Sequence, residues 1–313
     1  MPRPLHGLAT SVVVLALATG CTLPGPLSDT RPAERATPYV VPRSEVRSMR
    51  SATGVEYRIL VARPAAPAPA SGYPVLYLLD GDDSFAIAAA TAERLARHGS
   101  RSGVGPGLVV GIGYPGESRR RIDYTPATDK PVQGPDGRMA PSGGAQEFRN
   151  FIASELQPAI ASAYPIDPDR QALMGHSYGG LFVLDTLFRQ PELFRTYVAS
   201  SPSIWFGGGE VLRHEAAFVE AQRRARRRID LVLSVGELEE PPARPASAPI
   251  GGDAGDDRLS TRRMVGNSRA LAQRLEALAD TGLSVRIRIL GGEDHGSAPL
   301  PAIGTAVRHA FGD

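Results

Sequence analysis

Short, continuous apolar runs recur along this chain. Each is closed by a turn signal and followed by a stretch of helical composition. The alternation predicts strands at residues 55–62, 74–79, 108–112, 171–174, 197–200, 230–235 and 284–290. It predicts helices at 84–98, 146–163, 181–188, 211–228, 263–279 and 302–311. Runs as unbroken as Pro-Val-Leu-Tyr-Leu-Leu at 74–79 suit strands buried on both faces. Strand–helix alternation of this kind implies an α/β fold, a mainly parallel central sheet with helices on both faces. With 313 residues, 42% of them hydrophobic, the chain is long enough for one such domain.

Two stretches break the pattern. Residues 113–144 hold much Pro, Gly and Arg without periodicity, and loops of that length in compact domains are seldom idle. Residues 241–257 are poor in hydrophobics and rich in Pro, Gly and Asp, which predicts a disordered surface insertion. No internal repeat interrupts the single domain expected over 45–313.

The N-terminus reads as an export signal. Arg3 and His6 precede an apolar run, roughly 8–18, too short to span a bilayer comfortably, and the run ends at Thr19-Gly20-Cys21. Cys21 is the only cysteine, so no intrachain disulfide and no cysteine-based metal site can form. Leu17-Ala18-Thr19-Gly20-Cys21 resembles a bacterial lipobox, whose cysteine is lipidated and becomes the mature N-terminus, with ordinary signal cleavage as the alternative. Residues 22–44 then form a Pro-, Thr- and Ser-rich tether. The expected location is periplasmic, with membrane anchoring through Cys21. A formal charge of +2 gives no footprint for nucleic acid. The run Arg223-Arg224-Ala225-Arg226-Arg227-Arg228 reads as the polar end of a helix.

The chemistry is carried by Gly175-His176-Ser177-Tyr178-Gly179, a G-x-S-x-G motif with a strand before it and an apolar helix after it. Glycines at both ends allow a sharp strand-to-helix turn that exposes the serine hydroxyl, and the helix start offers free N–H groups to a forming oxyanion. A serine hydroxyl is a weak nucleophile and needs a base poised near neutral pH, which points to histidine. His6 lies in the signal, His98, His214 and His309 on helices, and His176 is expected to point away along the turn. His295, in a loop after the last strand, stands where the order serine, acid, histidine puts the base.

The acid should lie between them at a strand end. Glu239 is the first choice and Glu237 the second, with Asp256 and Asp257 inside the insertion and a Ser–His dyad as the alternative. The backbone N–H of Tyr178 and that of Asp82, in the turn after 74–79, are the expected oxyanion donors. In the loop 117–126 one or more arginines, Arg121 among them, would hold an anionic or catecholate group, or else lie solvated. Trp205 would form an aromatic wall or simply pack.

Leu78-Leu79-Asp80-Gly81, Gly175-His176-Ser177-Tyr178-Gly179-Gly180, Ser201-Pro202-Ser203-Ile204-Trp205, Val235-Gly236-Glu237-Leu238-Glu239 and Gly292-Glu293-Asp294-His295-Gly296-Ser297 together resemble the Putative esterase family of α/β hydrolases. That family includes periplasmic siderophore esterases of the enterobactin-trilactone type, with S-formylglutathione hydrolase and feruloyl esterases as more distant relatives. The resemblance covers about residues 45–312. It implies the α/β-hydrolase fold, a small-molecule ester substrate, hydrolysis through an acyl-enzyme, and no metal or organic cofactor. An acyltransferase, a polysaccharide deacylase or a non-catalytic envelope binding protein on the same scaffold are the alternatives. Nothing in the sequence fixes an oligomeric state.

Overall fold

The seven strands expected from the sequence all form, within one eight-stranded sheet. The computed structural model describes residues 37–132, 138–241 and 260–312. The export signal with Cys21, the tether up to residue 36, and the expected insertion beyond Pro241, with Asp256 and Asp257, lie outside the described residues. Every element named below belongs to one unit, Val40–Asp313.

The strands are β1 (Ser44–Arg50), β2 (Glu56–Ala62), β3 (Tyr73–Leu78), β4 (Leu108–Gly113), β5 (Ile166–His176), β6 (Thr196–Ser200), β7 (Ile229–Gly236) and β8 (Leu283–Leu290). Their order across the sheet is β1-β2-β4-β3-β5-β6-β7-β8. β1 and β4 flank β2 antiparallel, and every pairing from β4 to β8 is parallel. Parallel neighbours need crossovers, and helices supply them. These are α1 (Gly81–Arg97), α2, α3 (Tyr178–Arg189), α4 (Glu215–Ala225) and α5 (Met264–Glu276), and α6 (Pro299–Phe311) follows the last strand. α2 runs from Ala145–Phe151 through a π-helical turn, Ile152–Leu156, to Gln157–Ala163.

Two hydrophobic cores follow from the two-residue period of a strand. On β3, Val75 and Tyr77 face a core shared with Phe148 of α2, Phe182 of α3, Phe218 of α4 and Leu271 of α5. Leu76 and Leu78 face the other, with Phe85 of α1 and Ile303 and Phe311 of α6. α1 and α6 therefore cover one face and α2–α5 the other. The chain thus has the α/β-hydrolase fold.

Four elements depart from the sequence-based expectation. β1 has no apolar run; Val46 is 62% exposed, and the strand exists through its ladder with β2, Ser44 opposite Ala62. The expected helix 146–163 is interrupted because Pro158 has no N–H for the carbonyl of Ser154, and the ladder takes up a wider turn there. The expected helix 211–228 is a 3₁₀ turn, Glu210–His214, followed by α4, which stops when Arg226 enters the left-handed region at φ 49°. The arginine run therefore straddles the helix end. The long loop after β4 contains a helical turn, Arg120–Asp123, with Asp123 and Tyr124 buried.

Candidate active site

Ser177 is the single residue between the last residue of β5 and the first of α3. Its backbone sits at φ 60°, ψ −115°, a region that costs a residue with a side chain roughly 1–3 kcal/mol. Its surroundings impose that conformation. The Ser177 N–H donates to the Ser200 carbonyl at 2.9 Å, and the Ser177 carbonyl accepts from Leu181 at 2.9 Å and Ser203 at 3.2 Å. Close approach of α3 to the strands explains the glycines. A Cβ on Gly175 would lie 2.4 Å from the Gly179 carbonyl, and one on Gly180 would lie 2.7 Å from the Ser200 oxygen.

β7 and β8 end beside this turn and bring in the other two groups. His295, in the loop between β8 and α6, has Nε2 2.9 Å from Ser177 Oγ. Its Nδ1 lies 2.6 Å from Oε2 of Glu239. Glu239 closes the 3₁₀ turn Glu237–Glu239 after β7 and is 1% exposed. Its Oε1 accepts the Gly236 N–H at 2.8 Å and the hydroxyl of Ser201 at 2.5 Å. Glu237 faces outward instead, its carboxylate accepting the Gly292 N–H. Leu238 N–H donates to the Glu293 carbonyl, so the acid and histidine loops are tied together.

Burial would raise the Glu239 carboxyl. The hydrogen bonds from His295 and Ser201, the charge of His295 and the Gly236 N–H outweigh it and hold the group below its ordinary value. It is an ionised partner for an imidazolium. His176 was expected to point away, but it ends β5 and its ring packs on His295, with Nδ1 3.2 Å from Ser200 Oγ. Burial, then the charge of His295, lowers His176 to about 4.

Two cavities meet at Ser177 and His295. The larger, about 460 Å³, has an apolar wall of Ile87, Met174, Leu300 and Ile303, with Asp80 and Arg120 on its polar side. The smaller, about 190 Å³, is lined by Tyr178, Trp205, Arg262 and Met264. Trp205 is therefore a wall of the cleft, and Arg262 stacks on its ring at 4.7 Å.

The remaining sequence-based choices fall differently. Tyr178 opens α3, where a helix leaves its N–H groups free. Asp82 lines neither cavity. Asp82 lies in the first turn of α1, where backbone N–H groups lack helical partners; its carboxylate takes the Tyr114 N–H at 3.0 Å and Arg58 at 2.7 Å, which does not bear on the oxyanion role expected of its backbone N–H. Asp80 and Asp83 of the same turn line the larger cavity. Arg121 also lines neither cavity; Arg120 takes that place. In a helical turn successive side chains point about 100° apart, so one of three adjacent arginines can face the site. Arg119 turns to Asp123, while Arg120 grips both Asp80 oxygens at 2.9 and 3.2 Å and lies over the Tyr178 ring. Sequence reasoning gave no role to Ser201 or Arg262, and among the loop's arginines it singled out Arg121 rather than Arg120. Ser201 was visible only as part of a motif after a strand.

The family model described as Putative esterase matches residues 50–273. The ferri-bacillibactin esterase BesA of Bacillus subtilis is 35% identical over 281 residues, covering 87% of this chain and 91% of that protein. The siderophore triacetylfusarinine C esterase of Aspergillus fumigatus is 31% identical over 293 residues, covering 90% and 97%. Among solved structures, the BES protein from Bacillus cereus is similar with a TM-score of 0.77 at 31% identity, over 90% of this chain and 100% of that one.

Proposed function

The chain belongs to the Putative esterase family and is a carboxylic ester hydrolase, and from that premise we propose that it opens the ester bonds of siderophores, with Ser177 as nucleophile, His295 as general base and Glu239 as the acid that orients it. The observation that carries this reading is the hydrogen-bonded line from Ser177 Oγ through His295 to Glu239, 2.9 and 2.6 Å, at the carboxyl ends of parallel strands.

His295 Nε2 takes the Ser177 proton as Oγ attacks the ester carbonyl. Glu239 fixes the tautomer through Nδ1 and stabilises the imidazolium. The oxyanion forms beside the Tyr178 N–H at the start of α3. His295 then protonates the leaving alkoxide, and water repeats the sequence on the acyl-enzyme. The two cavities give the acyl and alcohol portions separate places. The apolar wall with Arg120, and the Trp205–Arg262 stack, suit aromatic groups that carry acidic hydroxyls.

The test compares a trilactone siderophore with short-chain nitrophenyl esters, using the protein and Ser177→Ala. Serine-dependent turnover of the siderophore well above the simple esters is the expected result. Equal turnover by Ser177→Ala would overturn the mechanism; turnover of simple esters alone would overturn the substrate.

The protein is further proposed to be exported to the periplasm and held at a membrane by lipidated Cys21. The support is the apolar run 8–18 followed by Leu17-Ala18-Thr19-Gly20-Cys21. Cys21→Ser should move the protein out of the membrane fraction.

A further inference from the structure

A third cavity lies at the other end of the strands, where β6 and β7 begin, and it shares no lining residue with those at Ser177. Its volume is about 730 Å³, larger than either of them. Five arginines line it: Arg170 on β5, Arg195 just before β6, Arg228 just before β7, Arg286 on β8 and Arg308 on α6. His309 stands beside them, and the carboxylates in the lining are Asp169 and Asp230. Five cations against two anions leave an excess of three. The whole chain, with 35 basic and 33 acidic residues, is close to balance, so the excess is local.

Internal contacts fix these groups but do not neutralise them. Asp230 takes Arg195 at 2.9 Å and reaches Arg286 only at 3.8 Å. Arg170 donates to the Gly312 carbonyl at 2.7 Å, Arg195 to the Arg228 carbonyl at 2.9 Å, and Arg308 to the Ser102 carbonyl at 3.4 Å. Each guanidinium has five N–H donors, and these bonds use a minority of them. The crowding also bears on protonation. Burial, with the charges of Arg228 and Arg170 working against Asp230, holds Arg195 below its ordinary value. Burial and Arg286 do the same to His309.

Guanidinium forks pair bidentately with phosphate oxygens. Forks brought into one hollow from four strands and a helix call for several such groups on one molecule. We propose that this cavity binds a small soluble polyanion carrying two or three phosphate groups, at a site separate from the ester-cleaving centre. Arg170 and Arg195 are half-buried while Arg228, Arg286 and Arg308 are exposed, and together they line a hollow rather than a flat face, which suits a small molecule better than a lipid surface.

The probe is inorganic triphosphate, titrated calorimetrically into the full chain at fixed ionic strength, with the thermal midpoint followed in parallel. Saturable one-site binding is expected, with a midpoint that rises with ligand as linkage requires. The double variant Arg286→Gln, Arg308→Gln should weaken binding about tenfold or more, through two lost charge-assisted contacts. Arg286 is 53% exposed and Arg308 is also exposed, so the fold should tolerate both changes. Unchanged turnover of a nitrophenyl ester would verify that. The proposal is overturned by the absence of saturable binding, by equal binding to the double variant, by an equal midpoint shift from sodium chloride of matched ionic strength, or by binding confined to anionic vesicles.

Discussion

The imidazole rings of His176 and His295 lie 4.6 Å apart, tilted by 44°. At that separation two imidazolium charges would repel strongly, and His176 is the ring that yields, held down to about 4 by burial and by His295. It is therefore neutral near pH 7 and gives His295 a polar but uncharged neighbour.

The burial of His176, with the charge of His295 added, should make stability depend on pH. An unfolded histidine titrates near 6.5, so between about pH 6.5 and 4 the unfolded chain binds the proton that the folded chain refuses. Stability should fall as pH drops through that window, by about 1.4 kcal/mol per unit and roughly 3 kcal/mol in all. Above it the penalty vanishes. His176→Gln should flatten the slope in urea unfolding followed from pH 7 to pH 4.5. An unchanged slope in the variant would place the acid sensitivity in other groups.

Glu239 depends on Ser201 as well as on His295. Ser201→Ala should cost about 1.5–3 kcal/mol of the support for the carboxylate, seen as about a tenfold to hundredfold drop in kcat/KM. Glu239→Gln presents the wrong partner to Nδ1 and should cost about 10⁴-fold. Combined with Ser177→Ala, neither change should lower the residual rate much further, because the three groups act as a unit. Additive losses would mean that they do not.

Far from the cleft, Arg149 and Asp185 form an ion pair at 2.6 Å with both side chains 1% exposed, and Arg189 reaches the other Asp185 oxygen at 2.8 Å. Loss of the Asp185 charge strands buried Arg149 in the core between α2 and α3, whereas loss of Arg149 leaves Asp185 its bond to Arg189. Asp185→Asn should therefore destabilise by about 3–5 kcal/mol in denaturant titration, and Arg149→Met by less. Replacing both with apolar residues of similar volume should recover most of that loss. A single variant within about 0.5 kcal/mol of the parent would show that water enters this pair.

Gly180 tests how closely α3 must approach the sheet. A methyl group there would press on the Ser200 oxygen and on the backbone of Pro202, at 2.7 and 3.0 Å. Gly180→Ala should cost about 1–3 kcal/mol through overpacking and should also slow turnover, because Ser200 holds the Ser177 N–H. Loss of stability with full activity would show that the helix and the Ser177 turn can shift independently.

The central strands were legible because β3, β4 and β7 are buried on both faces, which leaves unbroken apolar runs. β1 was not, since backbone pairing alone builds it and any sequence without proline can pair in that way. The meeting of Ser177, Glu239 and His295 could be read from strand ends and chain order. Which residue within a turn faces the cleft could not be read in the same way. Arg121 and Arg120 are adjacent, and a single helical turn decides which of them lines the cavity. The stacking of Arg262 on Trp205 joins segments on either side of β7, and no local pattern announces it.

Position 177 is occupied by a residue its backbone does not favour, since φ 60° with ψ −115° suits glycine better than serine. The native sequence is accordingly not the most heat-resistant version of itself. Ser177→Gly should relieve the turn by more than the roughly 0.5–1 kcal/mol that glycine loses in chain entropy. Directed evolution that ranks variants by survival on heating alone will be drawn to that change, and will enrich molecules that last longest because they have lost the hydroxyl.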